Sequence, residues 1–147
     1  MTTAMLGERI VIGNNVAELR RMSGWLRAYT EAADIPPECV HRLDVCANEA
    51  VTNIISYAYE EPGWHEITLE LSETAQGVRL VIRDDGKPFN ALEVPAHMTP
   101  ASLDAAEIGG LGVHLIRRLM PHCDYRRENG INVLCLETEH KLQPGNA

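Results

Sequence analysis

The sequence predicts an α+β fold, a two-layer sandwich with helices on one face of a mostly antiparallel, mixed sheet. Three observations carry this. Apolar residues recur at helical spacing in three segments. Five other segments alternate or run apolar over the length of a strand. Their order is strand, two helices, two strands, loop, helix, two strands. That order departs from the regular strand–helix alternation of a doubly wound parallel sheet.

Residues 8–13 (ERIVIG) read as a short strand. Val16, Leu19, Met22, Trp25, Leu26 and Tyr29 then fall on one side of an amphipathic helix over about 15–33. Pro36-Pro37 breaks the chain and can open the next helix at its first turn. In that helix, about 37–59, Val40, Leu43, Ala47, Ala50, Val51, Ile54 and Ala58 form one apolar stripe, and Gly63 ends it. Residues 65–72 and 77–83 are two strands joined by a turn at Ala75-Gln76-Gly77. Residues 87–109 lack periodicity and hold Pro88, Pro95 and Pro100, so they read as a long loop of the kind used as a lid. Residues 111–120 (LGVHLIRRLM) make a third helix, stopped by Pro121. Two last strands, about 122–128 and 131–138, meet at Asn129-Gly130, a strong hairpin signal.

A length of 147 residues fits one domain, with a core over about 8–139 and a frayed tail from 140 to 147. No apolar run approaches the ~20 residues that span a bilayer. Met1 to Gly7 lacks a basic stretch followed by an apolar block, so a cytoplasmic protein without membrane attachment is expected. Cys39, Cys46, Cys123 and Cys135 form no CxxC pair, which points to free buried thiols rather than a metal cage. The net charge of −8 argues against a direct grip on nucleic acid. The dense basic spots are only the doublets Arg20-Arg21, Arg117-Arg118 and Arg126-Arg127. Control of transcription, if any, would act through another protein.

Three short motifs can carry chemistry. Glu49 and Asn53 are four apart and share one side of the second helix. They sit on the flank of its apolar stripe, in line with Arg42, Cys46 and Tyr57, where a residue is expected to be half in and half out. A carboxylate can take the proton of an attacking hydroxyl. An amide oxygen suits Mg²⁺. Taken alone, the pair also reads as an ordinary solvated Glu and Asn. Asp84-Asp85-Gly86 closes an apolar strand. An aspartate there can accept a hydrogen bond from the exocyclic amine of adenine, with Gly86 allowing close approach; a plain Asp-Gly turn is the simpler alternative. Gly109-Gly110-Leu111-Gly112 precedes the third helix, whose start offers N–H groups to phosphate. It lacks the Lys-Ser/Thr of a P-loop and equally suits a hinge.

Taken together and in this order, these motifs resemble the GHKL ATPase superfamily, the fold shared by gyrase, Hsp90, histidine kinases and MutL. More closely, the sequence is similar to the small anti-sigma-factor serine kinases of the RsbW and SpoIIAB type. Asn48 to Tyr59 (NEAVTNIISYAY) matches the first box of that family, Asp84 to Asn90 (DDGKPFN) the second, and Gly109 to Met120 the third. Tyr125 to Leu136 (YRRENGINVLCL) is also similar, so the likeness spans about residues 8–139.

The resemblance implies a Bergerat-type ATP site with ATP and Mg²⁺ as cofactors. Glu49 would be the general base and Asn53 the Mg²⁺ ligand. Asp84 would read adenine beside Gly86. Gly110, Leu111 and Gly112 would line the phosphate end, and 88–109 would form the lid. It also implies a serine/threonine protein kinase of a partner-switching module, a homodimer. Such a kinase phosphorylates a STAS-type antagonist and otherwise sequesters a sigma factor or similar target.

Two features depart from the pattern. Pro88 stands where many of the superfamily have a second glycine, and no Lys or Arg occurs from Pro88 through Ile116. The γ-phosphate would then be met by Mg²⁺, backbone amides, Lys87 or His114. An ATP-binding switch with little or no kinase activity is the alternative expectation.

Overall fold

The computed structural model describes residues 7–93 and 115–140. The sequence places its apolar residues to build two layers. Strand β1 is Glu8–Gly13, β2 Glu66–Glu73, β3 Val78–Asp84, β4 His122–Glu128 and β5 Ile131–Glu137. They form one five-stranded sheet in the order β1-β2-β3-β5-β4. Among the described residues all four pairings are antiparallel. The physical reason is connectivity: the sheet is built from two hairpins, β2–β3 and β4–β5, and the second docks through β5 against β3.

Alternation along the strands decides which face is covered. Ile67, Leu69 and Leu71 of β2, Val78, Leu80 and Ile82 of β3, and Leu134 and Leu136 of β5 are buried toward the helices. The opposite face carries Arg79–Glu137 and Arg83–Glu70 ion pairs across strands, as suits a solvated face.

Helix α1, Leu19–Ala32, follows a single 3-10 turn at Val16–Glu18, so the amphipathic stretch expected over 15–33 divides in two. Asn15 caps that turn by accepting the N–H of Ala17 at 2.8 Å. Helix α2, Pro37–Tyr57, starts on a proline, which fits a first turn whose N–H groups lack helical partners. It stops two residues short of the expected 59 and well before Gly63. The Ala58 carbonyl accepts the N–H of Lys87 at 2.8 Å, and the Tyr59 ring leaves the helix to stack on His65 at 4.6 Å. The described part of the third helix, α3, is Leu115–Leu119; residues 111–114 lie outside the described residues.

Along the loop after β3, Ala91–Glu93 form a 3-10 turn with Ala91 and Leu92 buried in the common core. The segment expected to be lid from Pro88 onward is thus packed through residue 93; 94–109 lie outside the described residues.

The β4–β5 hairpin turns at Asn129 and Gly130, both with positive φ (49° and 80°), the backbone that favours Asn-Gly in a two-residue turn. Cys39 and Cys46 are buried, Cys123 and Cys135 half-buried, and all four are free. No helix among the described residues is long and apolar enough to cross a membrane.

Candidate functional site

The last core-facing residue of β3 is not apolar. Val78, Leu80 and Ile82 are followed at the same register by Asp84, only 3 % exposed. Its cross-strand partner on β5 is Asn132, also at a core-facing register and also 3 % exposed. Two polar side chains at the end of a sheet core must satisfy each other or cost stability. They do. Asn132 Nδ2 donates to Asp84 Oδ1 at 2.9 Å and to the Lys87 carbonyl at 2.8 Å. Asn132 Oδ1 accepts from the Tyr125 hydroxyl at 2.6 Å, from Arg127 Nη1 at 3.0 Å and from the Phe89 N–H at 3.2 Å. Arg127 Nη1 also donates to the Gly86 carbonyl at 2.8 Å.

Asp84 Oδ1 takes a second bond from the Gly86 N–H at 3.0 Å, closing an Asx turn. Burial raises the Asp84 carboxyl above its ordinary pKa, while the Asn132 amide and the Gly86 N–H pull the other way. Tyr59 is held well above its usual value, first by burial and then by the charges of Asp84 and Asp85.

Gly86 is required for a reason beyond access to a flat base. A Cβ there would lie 2.4 Å from the Ala58 carbonyl oxygen and 2.8 Å from the Ala58 Cβ. The glycine lets the loop lie against the end of α2. On its far side, Phe89 packs against Tyr57 with ring centroids 5.9 Å apart. Residues 86–89 are thereby fixed between α2 and β5.

Asn53 lies on α2 one turn before Tyr57. The flank that the helical wheel leaves half exposed is roofed in the fold. Leu92 of the 3-10 turn and Ile116 of α3 join the same core as α2; Asn53 is 2 % exposed and Cys46 fully buried. Burial pushes the Cys46 thiol up to about 12, which leaves it an inert apolar side chain at neutral pH. Glu49 remains half-buried and Arg42 exposed.

Asn53 Oδ1 is buried, and among the described residues it has no hydrogen-bond partner. Such an acceptor costs ~1–3 kcal/mol when left bare. A hard amide oxygen of this kind has the donor chemistry that Mg²⁺ favours. Among the described residues no group of three or more His, Cys, Asp or Glu could hold a metal.

The fold thus brings Asp84 and Gly86 against the end of α2, with Asn53 and Glu49 one and two turns upstream on that helix. Gly110, Leu111, Gly112 and His114 lie outside the described residues. Asn132, Arg127 and Tyr125 are site residues that sequence reasoning missed. The available signal was an asparagine in INVLCLE where strand alternation asks for an apolar residue.

The sequence from residue 12 to 138 matches the family model described as the histidine kinase-like ATPase domain. The chain belongs to the histidine kinase-like ATPase family. Within that family it is similar to the serine/threonine-protein kinase BtrW of Bordetella bronchiseptica, 37% identical over 98 residues, 67% of this chain and 68% of that protein. It is also similar to the serine-protein kinase RsbW of Staphylococcus epidermidis, 28% identical over 109 residues, 69% of this chain and 67% of that one. The ATPase fold recurs in the crystal structure of the RsbU and RsbW domains of Rv1364c from Mycobacterium tuberculosis, with a TM-score of 0.64 at 13% identity. That match covers 95% of this chain and 35% of the other. The serine-kinase branch of the histidine kinase-like ATPase family is therefore where this chain sits.

Proposed function

We propose that the protein is an ATP-dependent serine/threonine kinase and anti-sigma factor of a partner-switching module. The carrying observation is the bare, buried Oδ1 of Asn53 on the same side of α2 as Glu49. In this reading Asp84 accepts the exocyclic amine of adenine and Gly86 keeps the loop against α2. Asn53 Oδ1 holds Mg²⁺, which supplies charge neutralisation to the phosphates. Gly110, Leu111 and Gly112 line the phosphate end. Glu49 takes the proton of the acceptor hydroxyl as its oxygen bonds to the γ-phosphorus and ADP leaves. The acceptor is a serine or threonine on a small STAS-type antagonist. In the other state a sigma factor or similar target is held. A cytoplasmic homodimer of single-domain subunits completes the proposal.

A second reading, an ATP-binding switch with little transfer, has an observation in its favour. Two cations at the base-reading loop are both engaged, Lys87 of the loop with Glu60 at 3.2 Å and Arg127 of β4 with Gly86 and Asn132. The Lys87 pair is exposed and worth little, so Lys87 is releasable.

Radiolabelled ATP, Mg²⁺ and a purified STAS-type partner separate the readings. Label transferred to a partner serine or threonine supports the kinase. Mg-ATP binding without transfer to any such partner leaves only the switch.

A further inference from the structure

The geometry points to Asn132 as the positioning residue that gives the site its choice of base, although it lies a strand away from the loop that would touch the nucleotide. The inference rests on the reading of Asp84 as the adenine acceptor. Asn132 has all its hydrogen-bonding capacity committed. Both Nδ2 protons are given away, to Asp84 Oδ1 and the Lys87 carbonyl. Oδ1 receives three donors, from Tyr125, Arg127 and Phe89. This pattern fixes the amide orientation, because a flipped amide would face three donors with its own N–H groups.

The consequence falls on Asp84. Among the described residues, the two bonds to its carboxylate, from Asn132 Nδ2 and the Gly86 N–H, both end on Oδ1. Asn132 thus assigns one oxygen to the protein and reserves Oδ2 as the acceptor that meets a base. It holds the carboxylate ionised by donating to it, against the burial that favours the neutral form. A protonated or rotated Asp84 would present a donor, or nothing, to the adenine amine. The same amide ties residues 87 and 89, so the loop and its carboxylate share one reference point on β5. Tyr125 and Arg127, from β4, hold that reference point in turn.

Asn132→Asp keeps the size and the acceptor facing Tyr125, Arg127 and Phe89. In place of the amide donor it sets a second carboxyl against Asp84, so the buried pair must share a proton and Asp84 no longer presents an undivided carboxylate. Calorimetric affinities for ATP and GTP, both with Mg²⁺, are the readout, beside Asp84→Asn and Tyr125→Phe. Asn132→Asp is expected to weaken ATP by roughly tenfold or more while changing GTP little, so that the preference narrows. Tyr125→Phe keeps the ring and removes only the hydroxyl, and is expected to move the preference the same way by roughly threefold. A merely structural Asn132 would weaken both nucleotides together. If Asp84→Asn erases the preference while Asn132→Asp leaves it intact, the inference fails and the reading of Asp84 stands. If Asp84→Asn keeps the preference, the reading beneath has failed and the inference with it. Should Asn132→Asp not fold, Tyr125→Phe decides: an unchanged ATP-to-GTP ratio overturns the inference.

Discussion

The two ends of the candidate site are built on opposite principles. At the sheet end, Asp84, Asn132, Tyr125, Arg127 and the backbone of 86–89 match donor to acceptor within the protein. On α2, Asn53 is as deeply buried as Asp84, yet among the described residues its Oδ1 meets no donor. Polar burial is tolerated when it is satisfied and costly when it is not. The contrast teaches which part of the site is finished by folding and which is left for a ligand to finish. On the proposed reading, the end that would meet the base is preorganised and would lose little on binding. The acceptor on Asn53 would be met by a cation held there.

The largest effect that sharpens this contrast is chemical. Glu49→Gln keeps shape and removes the proton acceptor, so phosphate transfer should fall by ~100- to 10,000-fold. Mg-ATP affinity should stay close to that of the wild type, since binding requires no base. Transfer assays beside calorimetry check this, and undiminished transfer would remove Glu49 from the mechanism.

Next comes the preorganised end. Gly86→Ala places a methyl 2.4 Å from the Ala58 carbonyl oxygen, backbone against backbone. The loop or the end of α2 must move, at a cost of about 1–3 kcal/mol. Thermal unfolding should show the loss, and ATP affinity should drop with it as Asp84 shifts. An unchanged melting temperature would mean that the loop does not lean on α2.

A smaller effect concerns Asp84 in the absence of nucleotide. Burial raises its folded-state pKa, so the folded protein holds this proton more firmly than the unfolded chain does. The stability that Asp84 contributes is present below the ordinary carboxylate pKa and is lost as pH rises through the raised value. At neutral pH its ionised form is therefore a cost. Asp84→Asn should raise the melting temperature of the nucleotide-free protein at neutral pH, with the gain shrinking as pH falls into the carboxylate range. A variant less stable than wild type at neutral pH would show that the Asn132 and Gly86 bonds outweigh burial.

How the sequence relates to this structure follows the same division. The five strands, α1, α2 and the described part of α3 were legible from local periodicity, because amphipathic spacing is written within each segment; the two 3-10 turns were not. Asp84 was legible because a charged residue closes an apolar strand. Asn132 was not, since its meaning depends on being opposite Asp84, and strand pairing between β3 and β5 is not local information. The burial of Asn53 was misjudged for a similar reason. A helical wheel knows its own apolar stripe but not the roof that Leu92 and Ile116 add from elsewhere in the chain. The end of α2 at Tyr57 likewise depends on Lys87, thirty residues on, taking the Ala58 carbonyl. Gly86 was singled out for close approach to a flat base, whereas the close approach the fold shows is to Ala58.

The central claim is that the bare Asn53 Oδ1 is a metal ligand waiting for Mg-ATP, and calorimetry of ATP binding to Asn53→Ala with and without Mg²⁺ tests it most directly. The wild type should bind ATP more tightly with Mg²⁺ than without it. In Asn53→Ala the Mg²⁺-dependent part of the affinity should be lost, while metal-free ATP binding, anchored at Asp84, should persist. If Asn53→Ala binds Mg-ATP as tightly as the wild type does, Asn53 holds no metal and the account of this site is wrong.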